Sequence, residues 1–142
     1  MAKLVADAGV DGEWEIDSAG TIGIHAGDPA DSRMRAAARK RGFELTSRAR
    51  QFRAGDLDQF DLILAMDRSN LADIRRLAKE APKAELALFC DFCTRHEQIE
   101  VPDPYYGGPE GFELVLDLLG DGCSEILRLW RDEKRWNRST NA

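Results

Sequence analysis

The stretch VPDPYYGG (101–108) sets one carboxylate beside a proline, two tyrosines and a pair of glycines. Asp-Pro and Gly-Gly are strong turn formers, so these residues by themselves suit a stiff turn. They also suit chemistry. A carboxylic acid at the mouth of a cleft can hand a proton to a leaving group, which points to Asp103, and rings on the same loop can grip a flat substrate, which points to Tyr105 and Tyr106. A proton donor implies a group that attacks. Cysteine is the natural nucleophile type among these residues, and Cys90 and Cys93 form CDFC, the spacing of redox dithiols and of half zinc sites. Zinc needs two more ligands, and only His96 lies nearby, with His25 far along the chain. The pair follows a strand pattern instead of opening a helix, so it reads as two unpaired loop or core cysteines, with no metal.

One domain has to carry these side chains. A chain of 142 residues can bury a real core, and 43% hydrophobic with 32% charged residues is ordinary for a globular protein. A net charge of −6 argues against a nucleic-acid surface, which is normally basic. The longest apolar runs, LILAM and ELALF, are far too short to span a bilayer. No leader pattern opens the chain, and 3 cysteines without repeated spacing fit a reducing cytoplasm.

EWEID (13–17), DLILAM (61–66) and AELALF (84–89) read as strands; the last two are nearly continuous apolar runs, as in a parallel sheet covered on both faces. Helical patterns fill 31–42, which ends on a glycine, and 67–81, with Leu71, Ile74, Leu77 and Ala78 on one stripe and a stop at Pro82. A last helix starts near Pro109 and carries apolar residues at three- and four-residue steps, interrupted by Gly120 and Gly122, each expected to weaken it. The alternation predicts an α/β fold with a parallel sheet, one domain over 1–131 and a tail over 132–142. A short helical piece opens the chain and ends at Gly9, with no strand ahead of it.

Three stretches, IDSAGT (16–21), LAMDRSNL (64–71) and DPYYGG (103–108), supported by GDPAD (27–31) and ARQ (49–51), resemble in this order and spacing the low-molecular-weight protein tyrosine phosphatases. The likeness runs from about Met1 to about residue 131. It implies an open parallel sheet flanked by helices on both faces. It also implies hydrolysis of phosphotyrosine or small aryl phosphates through a cysteinyl-phosphate, with no cofactor. In the family a phosphate loop, Cys-x-x-x-x-x-Arg-Ser, follows the first strand and holds a low-pKa thiolate at a helix N-terminus against the bound anion. No such spacing occurs in these 142 residues: Arg95 follows Cys90, and Arg128 follows Cys123, with four residues enclosed each time. Met1 falls within what resembles the family's first helix, just beyond the loop. The expectation is a chain without its first, central strand and its nucleophile, inactive as it stands. The alternative is a short non-catalytic binding protein of the same fold.

Carried over by the same resemblance, Asp103 is the general acid, and Tyr105 and Tyr106 line the cleft wall. Ile24, beside His25, stands where many members have an aromatic wall residue. Ser18 is similar to the serine that holds the phosphate loop, and Ser47 replaces a supporting histidine. Asp67 matches an aspartate near the loop's arginine, while its own residue type equally fits a helix N-cap.

Overall fold

In the computed structural model, which describes residues 1–136, the long apolar runs form the sheet. Strand β1 (Leu62–Ala65) pairs in parallel with β2 (Glu85–Leu88), Leu62 opposite Glu85 and Ala65 opposite Leu88. A parallel pair needs a crossover, supplied by the helix between the strands. With the helices numbered in chain order, α1 is Ala2–Asp7, α2 Ser32–Lys40, α3 Asp56–Gln59, α4 Arg68–Leu77 (the crossover) and α5 Pro109–Asp132.

Alternation along β1 divides the core between the two faces of the sheet. Ile63 and Ala65 are buried with Leu57, Leu71, Ile74 and Ala84, which belong to the α3 and α4 side. Leu62 and Leu64 pack against the other cluster, built on Phe89, Val115, Ile126 and Leu129. Both faces are therefore covered, as expected of an open parallel sheet flanked by helices.

Three expectations need correction. EWEID (13–17) is not a strand: Asp11–Glu13 form a 3-10 turn, and Trp14 to Asp17 continue without a ladder. Its alternating pattern is present, but a strand is defined by neighbours, and among the described residues none lies alongside. Trp14 instead anchors the segment by an edge contact with Trp130, centroids 5.3 Å apart, while Ile16 remains 43% exposed. Helix α4 ends at Leu77, not near Ala81, because Pro82 disfavours helical backbone before it and the chain must turn back so that the Ala84 N–H can donate to the Leu57 carbonyl. Leu77, placed on the buried stripe by periodicity, is accordingly exposed.

The third concerns Gly122, which does more than weaken α5. A Cβ there would lie 2.5 Å from the Phe89 ring, so the glycine admits that ring to the helix. Gly120 has open space around it and fits the simple expectation. At the start of the expected tail, Trp136 packs edge-on against Phe92 and Arg135 donates to Glu85 at 3.0 Å, while 137–142 lie outside the described residues.

Candidate active site

The site is assembled at the carboxyl end of β1, where open α/β sheets bind ligands. One residue past the strand, the Met66 carbonyl accepts from the Val101 N–H at 2.8 Å, and the Arg68 N–H donates to the Glu100 carboxylate at 2.6 Å. These bonds bring LAMDRSNL against VPDPYYGG, so Asp67 and Asp103 flank one end of one strand. Asp67 caps α4, its Oδ1 accepting from the Asn70 N–H at 2.7 Å, so the N-cap role is met.

Asp103 is the N-cap of a 3-10 turn over Pro104–Tyr106 and is exposed. Its Oδ1 accepts from the Tyr105 N–H at 3.0 Å. Proline at the first position of the turn fixes φ and has no N–H to satisfy, which stiffens the approach to the carboxylate. Tyr105 is 58% exposed. The side chain of Tyr106 lies outside the described residues.

A second pair of stretches is tied together elsewhere on the fold, leading to α3. Gly20 forms a parallel bridge with Gln51, its N–H donating to the Arg50 carbonyl at 2.9 Å, and the Gly27 N–H donates to the Ala49 carbonyl at 2.7 Å. Arg50, of the ARQ motif, reaches Asp17 at 2.9 Å and takes Asp56 with both terminal nitrogens at 2.9 and 3.2 Å. Burial pushes the Asp56 carboxyl up, but the Arg50 guanidinium and the Arg53 N–H outweigh it and hold the group below its ordinary range. Ser18 and Ser47 sit on exposed backbone beside these ties. Ile24 is 78% exposed and so is covered by almost nothing, and His25 next to it lies 3.4 Å from Asp28.

Cys90 and Cys93 follow β2 at the carboxyl end of the parallel sheet, yet none of the cysteines is presented there as a nucleophile. Cys90 and Cys123 are buried and Cys93 is half-buried, with its Sγ donating to the Leu118 carbonyl at 3.5 Å. Burial pushes all three thiols up, Cys93 to about 12, the opposite of what an attacking thiolate needs. His96 is turned onto Asp121, Nδ1 to Oδ2 2.8 Å.

Arg33, Arg50, Asp56 and Asp121 escape sequence reading. Each makes its contacts across a break in local pattern; only the Asp31–Ser32–Arg33 opening of α2 and the ARQ motif mark two of them in advance.

Residues 1–136 match the family model described as low molecular weight phosphotyrosine protein phosphatase. The chain is 38% identical over 132 residues to the low molecular weight protein-tyrosine-phosphatase of Streptomyces coelicolor, covering 91% of this chain and 80% of that protein. It is 36% identical over 127 residues to the human low molecular weight phosphotyrosine protein phosphatase, 88% of this chain and 80% of that one. Among solved structures, a protein tyrosine phosphatase from Entamoeba histolytica superposes with a TM-score of 0.89 at 37% identity, over 94% of this chain and 85% of that chain.

Proposed function

Given that the chain belongs to the low molecular weight phosphotyrosine protein phosphatase family, we propose that it carries the acid and the cleft wall for hydrolysis of phosphotyrosine or small aryl phosphates. The observation that supports this most directly is the setting of Asp103: exposed, capping a proline-stiffened turn, at the carboxyl end of β1 beside Asp67. In this reading a thiolate attacks phosphorus, the P–O bond to the phenol breaks, and Asp103 gives its proton to the departing oxygen. The same carboxylate then takes a proton from the water that opens the cysteinyl-phosphate. Tyr105, Tyr106 and Ile24 flank the aryl group. Ser18, Ser47 and Asp67 brace the phosphate-binding loop, and catalysis needs no metal or other cofactor.

The 142 residues themselves supply no attacking thiol. None of the three cysteines has the loop spacing, and burial raises the pKa of every one of them. We infer that the chain as it stands does not turn over substrate. Purified and assayed with phenyl phosphate, it is expected to match the buffer background; turnover that vanishes in Asp103→Ala would overturn the inference. A chimera with a strand and a Cys-x-x-x-x-x-Arg-Ser loop joined ahead of Met1 is expected to be active.

A further inference from the structure

The Asp103 turn is fastened to the rest of the protein by a residue from another motif. Arg33, in the first turn of α2, is set by Asp31: its N–H, Nε and Nη2 reach the Asp31 carboxylate at 2.8, 3.2 and 3.1 Å. Its Nη1 donates to the Tyr105 carbonyl at 3.3 Å. The guanidinium lies over two rings, 5.2 Å from the centroid of Tyr105 and 4.9 Å from that of Phe112 in α5. Arg33 thus joins the start of α2, the turn after Asp103 and the first turns of α5.

The Tyr105 residue is held at both ends. Its N–H is bound by Asp103 Oδ1 and its carbonyl by Arg33. The acid therefore rests on a piece of backbone whose place is fixed by the guanidinium. We propose that Arg33, oriented by Asp31, is a positioning residue for Asp103, setting where its carboxylate meets the leaving oxygen. The inference rests on the reading of Asp103 as general acid. An arginine is needed because one planar fork must meet a carboxylate and a carbonyl while its faces stack on rings; a lysine offers a point charge and no plane. Asp31 holds the fork ready, so little ordering remains to be done when a substrate arrives. A displaced acid is costly, because small errors of placement lower rates steeply.

Two measurements test this. In the 142-residue protein, hydrogen exchange is read at Tyr105 and Gly107 in wild type, Arg33→Met and Asp31→Asn. Arg33→Met keeps an apolar side chain of similar reach without the guanidinium and is expected to speed exchange at these amides at least tenfold while β1 and α5 keep theirs. Asp31→Asn still caps α2 and is expected to fall between. Unchanged exchange in Arg33→Met overturns the proposal.

In the active chimera, phenyl phosphate, whose leaving group needs a proton, is compared with p-nitrophenyl phosphate, whose leaving group hardly does. Arg33→Met is expected to lower kcat/KM on phenyl phosphate about tenfold, a share of the 10²–10⁴ that an acid supplies, with kcat/KM on p-nitrophenyl phosphate spared, because this ratio reports the step that expels the leaving group and not the later opening of the cysteinyl-phosphate. Equal losses on both substrates would make Arg33 merely structural and overturn the proposal. Asp103→Ala in the same chimera separates the two failures. If it shows the leaving-group dependence and Arg33→Met does not, the positioning role alone is wrong; if it shows none, the acid reading falls and takes this inference with it.

Discussion

Asp103 and Asp121 are both carboxylates that organise a loop, and their surroundings give them opposite uses. Asp103 is exposed and accepts from the backbone of its own turn, at Tyr105 N–H. The Asp121 side chain is 3% exposed and accepts from Thr94 N–H, Thr94 Oγ1, Arg95 N–H and His96 Nδ1, all within 3.1 Å. Burial pushes the Asp121 carboxyl up, but the hydrogen bonds from His96, Thr94 and Arg95 win and hold it far below the usual carboxylate range. A group so held cannot deliver a proton in neutral solution. Its place is structural, whereas Asp103, exposed and held by one local N–H, is the acid proposed to meet a leaving group. Residue type does not separate the two; the count and burial of donors does.

The comparison breaks most visibly at Asp103. In the active chimera, Asp103→Ala is expected to lower kcat/KM on phenyl phosphate by about 10²–10⁴-fold. Its stability should fall by no more than about 1 kcal/mol, the typical cost of losing one N-cap. A loss of the same size on p-nitrophenyl phosphate, or a marked drop in urea midpoint, would move Asp103 into the structural class with Asp121.

Asp121→Ala should do the reverse. It removes the acceptor of two backbone N–H groups and the His96 ring, and losing hydrogen bonds to a charged group where water still reaches the donors costs about 1.5–3 kcal/mol. Against the roughly 5–15 kcal/mol of a typical domain, the loss should be plain in urea unfolding. The sign with pH follows from the lowered pKa. The folded protein binds this proton less readily than the unfolded chain does, so the stabilisation is complete above the ordinary carboxylate range, about pH 4, and is lost as pH falls from there toward the depressed value. Asp121→Asn should therefore flatten the acid limb of stability against pH, and an unchanged acid limb would contradict the assignment.

The two acids also differ in how far the sequence exposes them. Asp103 stands in a run with proline, tyrosine and glycine whose turn chemistry is local, so its place and its accessible setting are readable. The donors of Asp121 lie 25 to 27 positions away, and the residue sits between two glycines that a helical pattern treats only as a weakness. The same division runs through the fold. β1, β2, the cap at Asp67 and the span of α5 follow from apolar runs and end signals. The 13–17 stretch fails because a strand pattern is a promise that only a neighbour fulfils, and the Arg33–Tyr105 and Arg50–Asp17 ties are missed because they join segments far apart in the sequence.

The glycines beside Asp121 sharpen the contrast at smaller scale. Gly122→Ala would place a Cβ 2.5 Å from Phe89 and push away the ring that precedes the Cys90–His96 loop. The expected cost is about 1–3 kcal/mol, as for other overpacked core sites. Gly120→Ala meets nothing within 4 Å and should stabilise by up to about 1 kcal/mol through helix propensity. Opposite signs at two positions on either side of one aspartate, read as urea midpoints, would show that Asp121 reaches its donors because Phe89 sits close against α5. Equal signs would mean that the close approach at Gly122 is not what holds that loop.

The smallest effect comes from trimming the Asp121 cluster by one donor. Thr94→Val keeps the side-chain shape and the backbone N–H but removes the Oγ1 bond at 3.1 Å. Because Thr94 is exposed, the carboxylate oxygen it leaves retains the Thr94 N–H at 3.0 Å and is not stranded. The expected loss is therefore that of one ordinary hydrogen bond, about 0.5–1.5 kcal/mol. A loss approaching that of Asp121→Ala would mean that the hydroxyl, and not the backbone pair with His96, carries the clamp. A loss near zero would place the whole stabilisation on the Thr94 and Arg95 N–H groups and the imidazole, the arrangement in which Asp121 differs most from Asp103, whose carboxylate serves one local N–H and keeps its face to the solvent.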